Sequence, residues 1–262
     1  MNDNPVGRIL RQWRTHRGLS QLDLASAAEV SQRHLSFVET GRSRPSAELL
    51  LHLGRQLALP LRAQNDLLLA AGHAPRHSAH QLGDDEMEPV RRALTQLIEH
   101  HEPYPAVIVD RGYDVVAANG AALALLAAVA PSILDGELNL VALTLADGGL
   151  GGACLNLAEV ATTMCRRLER DRLVHPGDER LEQLWEDSAE VAARQPPVEA
   201  PPDVTVPVRL ATPVGELTLF TVLASVGSAA DVTAEELSVE LFYPADADTA
   251  ERLVLLGEQA AG

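Results

Sequence analysis

Apolar side chains recur every three or four positions through the first seventy residues, and that spacing predicts a run of short helices. Val6, Ile9, Leu10 and Trp13 form one stripe over Pro5 to Arg17, which Gly18 stops. Ser20 is placed to cap a second helix, Gln21 to Ala28, with Asp23 beside the exposed amides of its first turn. After a turn at Glu29-Val30, Ser31 caps a third helix that runs to about Thr40. Ser46 caps a fourth, Ala47 to Ala58, and Leu61 to Ala71 makes a fifth, closed by Gly72. Leu24, Ala25, Ala28, Val30, Leu35 and Val38 must pack inward. That leaves Gln21, Gln32, Arg33 and Ser36 facing out, side chains of the kind that read base edges. Arg42 and Arg44 follow in a loop that can reach phosphate.

The pattern changes after a polar, acidic stretch from Ser78 to Glu88, which reads as a linker. Val90 to Glu99 is helical, and then the period shortens. Ala106 to Asp110 and Tyr113 to Ala118 read as a β-hairpin turning at Arg111-Gly112. Helical stretches follow at Ala121 to Val129, Leu155 to Arg172 and Glu179 to Ala193, then a proline break from Pro196 to Pro202. Three strands (Val204 to Ala211, Glu216 to Ala224, Glu236 to Tyr243) and a short helix, Ala247 to Leu256, close the chain. Two strands, helices, then three strands is the order of a PAS-like α+β domain, a five-stranded antiparallel sheet with helices across one face. The expected organisation is a five-helix domain at 1–77, a linker at 78–88 and the PAS-like domain at 89–262.

Charge divides the chain at the same place. Residues 1–77 carry ten arginines against six acidic side chains, a net of +4; residues 78–262 carry eleven against thirty-one, a net of −20. The basic surface a nucleic acid needs therefore lies at the N-terminal end, while the acidic remainder would repel DNA and suits a regulatory or oligomerising role. Lysine is absent, and with abundant Ala, Leu and Arg this points to a GC-rich bacterial genome. Cys154 and Cys165, eleven apart, form no C-x-x-C and read as reduced thiols in a cytoplasmic protein. No leader opens the chain, and its longest apolar run, Ala121 to Ala130, is too short for a bilayer, so no membrane association is expected. His73, His77 and His80 have helical metal-site spacing, but Pro75 interrupts it and a solvated linker is expected. Gly148 to Gly152 lacks the G-K-[ST] end of a phosphate loop, and no G-x-S-x-G or H-E-x-x-H is present. Neither an enzyme nor a cofactor or metal site is expected.

The stretch GLSQLDLASAAEVSQRHLSFVETGRSRP, Gly18 to Pro45, resembles the helix-turn-helix of the XRE family of phage-repressor-like regulators. The resemblance implies double-stranded DNA as partner and the third helix as the reader of the major groove. Base contacts would come from Gln32, Arg33 and either Ser36 or Phe37, with Ser31 at the helix head in the DNA-facing set. Gln suits adenine and Arg suits guanine; the Phe37 ring either meets a thymine methyl or packs within the domain. Gln21, Arg42, Arg44 and the amides opening helix two would hold phosphate. In this family a basic residue late in helix one pairs with the glutamate that ends the recognition helix, and Arg14 and Glu39 occupy those positions. The turn position held by Glu29 is often Gly in the family because it needs positive φ; a non-glycine residue there costs ~1 kcal/mol. One such domain makes few contacts, so a homodimer on an inverted repeat is expected.

EPYPAVIVDRGYDVVAANGAALALL, then HPGDERLEQLW and a TPVGELTLF hairpin, resemble the MmyB-like transcription regulators of actinobacteria over nearly the whole chain. The resemblance implies a C-terminal ligand-binding module, with a small apolar, fatty-acid-like molecule as ligand. This chain departs from the family in lacking an aromatic at Ala118 and in the glycine-rich run Ala146 to Ala153. A pocket here should therefore be more open and aliphatic. Its candidate walls are Val107, Val109, Val115, Leu123, Leu126, Val160, Met164 and Leu219, all of which could equally be plain core. Asn119 either caps the helix that follows it or hydrogen-bonds a ligand head group. The competing reading is a ligand-blind DNA binder whose second domain dimerises or recruits a protein.

Overall fold

The computed structural model describes residues 4–131, 136, 138–198 and 205–261. The chain divides into two compact units, Met1–Gln81 with Ser228–Glu235, and Leu82–Gly227 with Glu236–Gly262.

The first unit is built on five helices: α1 (Pro5–His16), α2 (Gln21–Ala27), α3 (Gln32–Glu39), α4 (Ala47–Gln56) and α5 (Leu61–Ala70). Leu10, Leu24, Leu35, Leu50, Leu53 and Leu67 meet at its centre, each at most 1% exposed. The helix starts are written locally. Ser20 and Asp23 form a reciprocal capping box on α2, and Ser31 and Ser46 accept amide hydrogens of α3 and α4. Glu29 adopts φ 52° in the turn before α3, the conformation that glycine takes without strain. Ala25 is 1% exposed beneath α3, where a larger side chain would push the helices apart.

Two expectations for this unit are corrected. His73 and His77 are docked rather than solvated: Asn65 Oδ1 accepts the amides of Arg76 and His77, its Nδ2 donates to the His77 carbonyl, and His73 Nε2 lies 3.0 Å from the Pro45 carbonyl. The expected linker at 78–88 does not form a free connection either, because Ser78 and His80 pair with Asp231 and belong to the first unit together with residues 228–235. That pairing spans about 150 positions and leaves no local pattern.

The second unit opens with α6 (Glu88–Glu99) and the hairpin β1 (Ala106–Val109) and β2 (Val115–Ala118). Helices α7 (Gly120–Val129), α8 (Leu140–Leu145), α9 (Leu157–Val174) and α10 (Glu179–Arg194) follow. Strands β3 (Val208–Thr212), β4 (Gly215–Ser225) and β5 (Ser238–Pro244) and helix α12 (Ala247–Ala261) complete the unit, while the short helix α11 (Val232–Glu236) in the β4–β5 connection falls largely in the first unit. The five strands are antiparallel in the order β2-β1-β5-β4-β3, with Val107 opposite Glu240 and Leu210 opposite Leu217. This is the PAS-like α+β arrangement.

Helix α8 was not expected; Asn139 caps it by accepting the Ala142 amide, and its two amide hydrogens go to Gly112 and Asp114. The glycine run beyond it is a steric requirement: a Cβ at Gly151 would lie 2.6 Å from the Leu145 carbonyl, and one at Gly152 2.2 Å from that of Asp147. Tyr113 is not a strand residue. It turns with φ 63°, and β2 begins at Val115. β3 begins at Val208; Val204 and residues 199–202 of the proline break lie outside the described residues. α12 continues past the expected Leu256 to Ala261.

Candidate functional site

Helix α3 buries Leu35, Val38 and Glu39 and turns the opposite side outward. Gln32 and Arg33 are exposed, while Ser36 and Phe37 are half-buried. Ser31 caps the helix through its hydroxyl oxygen, which accepts the His34 amide at 3.1 Å, and keeps its own hydroxyl hydrogen to donate. Phe37 is not part of the core; its ring lies between two cations, with the Arg33 guanidinium 5.3 Å and that of Arg42 6.0 Å from its centroid. Arg44 is exposed in the same loop as Arg42. The outward face thus gathers Gln32, Arg33, Ser36, Phe37 and Arg42, with donors suited to guanine and adenine edges and to phosphate.

What holds this face still is Glu39, whose side chain is fully buried. Arg14 Nε donates to Glu39 Oε1 at 2.8 Å and Arg14 Nη2 to Oε2 at 3.3 Å. Gln21 Nε2 donates to the same Oε2 at 2.8 Å, so one of its amide hydrogens is committed to the scaffold, leaving the other for a phosphate. Leaving such a carboxylate without its partners would cost several kcal/mol, ~3–5 by analogy with other buried pairs. The end of α3 is tied down as well. Asn4 Nδ2 donates to the Val38 and Glu39 carbonyls at 2.8 and 3.2 Å, and Arg11 Nη2 to that of Glu39 at 3.1 Å. Gly7 makes this approach possible, since a Cβ there would sit 2.0 Å from the Glu39 carbonyl oxygen. Sequence reasoning missed Asn4, Gly7 and Arg11, as well as His34, which is exposed beside Arg33. Only His34 had a local signal, its place one residue from Arg33 on a helix whose buried side was already known.

In the second unit a cavity of about 60 Å³ lies between the sheet, α7 and α8. Val107, Val115, Leu126 and Leu219 line it, as do Leu140, Leu143 and Thr144 of α8. The other five candidates lie elsewhere. Val109 and Val160 are core, at 1% and 5% exposed, and Met164 packs against the same cluster. Leu123 is 44% exposed, because α7 turns Ala122, Leu125 and Leu126 inward. Asn119 has no hydrogen-bonding capacity left for a ligand. Its Oδ1 accepts the Ala106 and Ala122 amides, and its Nδ2 donates to the Ile98 and Tyr104 carbonyls. It is the helix cap, and it also joins α6 to β1. Thr144 is the one polar side chain among the described residues lining the cavity, and its hydroxyl donates to the Leu140 carbonyl at 2.7 Å.

A second group of polar side chains in this unit is not among the residues that line the cavity. The Tyr113 hydroxyl donates to Asp171 Oδ2 at 2.5 Å, and Arg167 sits 2.7 Å from Glu240 Oε1 and 4.8 Å from the Tyr113 ring centroid. Burial pushes the pKa of Glu240 up, and Arg167 beside it offsets part of that shift. Burial also raises both thiols, Cys154 and Cys165, which keeps them protonated and weak as nucleophiles. Among the described residues no three His, Cys, Asp or Glu side chains gather closely enough to hold a metal ion, and no helix is long and apolar enough to cross a membrane.

A helix braced in this way, carried ahead of an α+β domain with an apolar cavity, places the chain among DNA-binding transcription regulators of the helix-turn-helix class. Residues 90–256 match the model of the MmyB-like transcription regulator ligand binding domain, and the chain belongs to that family. Residues 10–63 match a Helix-turn-helix family model. The chain is also similar to "Transcriptional regulator ClgR" from two strains of Mycobacterium tuberculosis, 41% identical over 56 residues, 21% of this chain and 50% of the relative. It thus spans about half the length of those curated relatives.

Proposed function

We propose that the regulator binds an inverted-repeat operator as a homodimer, reads bases through Gln32, Arg33, Ser36 and Phe37, and answers to a small apolar molecule in its second domain. Gln21, Ser31, Arg42 and Arg44 hold the backbone. The observation that carries the DNA half is the exposed face of α3 set against the fully buried Glu39. The helix is positioned before DNA arrives, so little ordering entropy is lost on binding. Unbiased binding-site selection on the full chain, with the mass of the complex measured in solution, tests this. Two symmetric half-sites about one helical turn, ~10 bp, apart are expected with two chains bound. A single asymmetric site with one chain would overturn it.

The ligand half rests on the largely apolar cavity. A fatty acid would have to keep its carboxylate outside, since no cation is among the described residues that line the cavity and burying an unpaired charge is costly. The chemistry therefore favours a neutral apolar ligand, or an acyl tail with its head in water, at roughly 0.8 kcal/mol per buried CH₂. Solvent extraction of the purified protein, mass spectrometry and a thermal-shift panel of fatty acids and neutral hydrocarbons provide the test. A second reading, a ligand-independent regulator whose second domain dimerises or recruits a protein, draws on the cavity's size. Its 60 Å³ is well below the roughly 150 Å³ that accommodates a benzene. No extracted molecule and no thermal shift would favour that reading. In either reading the compartment is the cytoplasm.

A further inference from the structure

The connection between β4 and β5 belongs to the first unit, although both strands belong to the second. The chain therefore crosses from one unit to the other at three covalent points, after Gln81, Gly227 and Glu235. Within the first unit this loop is held by specific bonds. Asp231 Oδ2 accepts the His80 amide at 3.1 Å and lies 2.8 Å from His80 Nδ1. Its Oδ1 accepts the Thr233 and Ala234 amides. The Val232 amide donates to the Ser78 carbonyl at 2.8 Å, and the Thr233 hydroxyl to that of His80 at 2.7 Å. Glu235 adds the most telling bond. Helix α5 begins after Pro60, which supplies no capping side chain, and the Leu61 amide donates instead to Glu235 Oε2 at 2.7 Å. A carboxylate 174 residues away thus caps a helix of the DNA-binding unit.

Both strands that flank the loop also line the cavity, β4 through Leu219 and β5 through Phe242. We infer that the loop is a strap that carries cavity occupancy into the DNA-binding unit. Filling the cavity displaces β4 and β5, the strap shifts with them, and Asp231 and Glu235 pass the shift to His80 and to the start of α5. The inference builds on the ligand response proposed above. It places the coupling in this loop rather than in the 82–88 connection.

The test uses the full chain and the selected operator. The cavity is filled in two independent ways, by Ala122→Leu and by dissolved xenon, an apolar probe smaller than benzene. Operator affinity and amide exchange at Leu61 and His80 are read in the wild type, in Asp231→Ala and in Glu235→Ala. Filling should change wild-type affinity at least about fivefold, a typical coupling between sites, and alter exchange at both amides. In either strap variant the affinity change should fall below about twofold. An affinity change of the same size in wild type and both strap variants overturns the strap and leaves the ligand response standing. No change in the wild type by either filling route removes the ligand response, and the strap with it. Glu235→Ala, which loses a single cap, keeps the test decisive if Asp231→Ala does not fold.

Discussion

The two units treat buried polar groups in opposite ways. In the first, Glu39 is fully buried directly behind the recognition face and is bound by Arg14 and Gln21. In the second, the described cavity wall is apolar apart from Thr144, and Tyr113, Arg167, Asp171 and Glu240 are not among its lining residues. A surface that must meet a fixed lattice of bases and phosphates gains from a helix set in one position, which a multiply bonded carboxylate enforces. On the ligand reading proposed above, a cavity that admits an apolar guest would gain from walls whose packing can shift without breaking a hydrogen bond.

That contrast can be broken at Glu39. Glu39→Ala leaves Arg14 buried without its partner and should cost ~3–5 kcal/mol, read as early melting of the first unit and lost operator binding while the sheet of the second persists. A cost under about 1 kcal/mol would mean that packing alone holds α3. The counterpart is Asn119→Ala, which removes the side-chain acceptor of the Ala106 and Ala122 amides and a donor from the Ile98 and Tyr104 carbonyls. It should destabilise the second unit by about 3 kcal/mol in denaturant unfolding. If it instead lowers ligand uptake at unchanged stability, Asn119 is a ligand contact after all.

Substitutions on the DNA face should leave stability nearly unchanged. Arg33→Ala should cost ~1–3 kcal/mol of operator affinity and relax one base position in a repeated selection. Arg42→Ala should weaken all sequences alike and lower the salt slope by about 1. If the two effects are exchanged, so are the two roles. The smallest change is expected from Thr144→Val: its hydroxyl only back-bonds within α8, so stability should move by less than about 1 kcal/mol. Uptake of a neutral hydrocarbon should stay the same or improve.

The first unit was readable because its determinants are close together in sequence. Ser20 and Asp23, Ser31 and Ser46 each act within three residues, and the core stripe of every helix shows in its spacing. The pairing of Arg14 with Glu39 was reachable through the family pattern, whereas Asn4, Gly7 and Arg11 act on the Glu39 backbone some thirty residues on and carry no mark of it. In the second unit the strands were recognisable, but the cavity was misjudged at Leu123. The run from Ala121 to Val129 is apolar on every side, so no polar face shows which way α7 turns. Helix α8, which supplies Leu140, Leu143 and Thr144, is a single short turn-and-a-half that a periodicity argument passes over.

By itself the amino-acid order determined where the helices of the first unit begin, which end of the chain is basic, and that a helix-turn-helix precedes a five-stranded domain, because capping, periodicity and charge act over a few positions or by simple sum. The tertiary structure decided which apolar residues enclose a cavity, that Asn119 is fully occupied, and that residues 228–235 join the DNA-binding unit. Those outcomes depend on groups brought together across tens to more than a hundred residues, where hydrogen bonds and packing select a partner that no local pattern names.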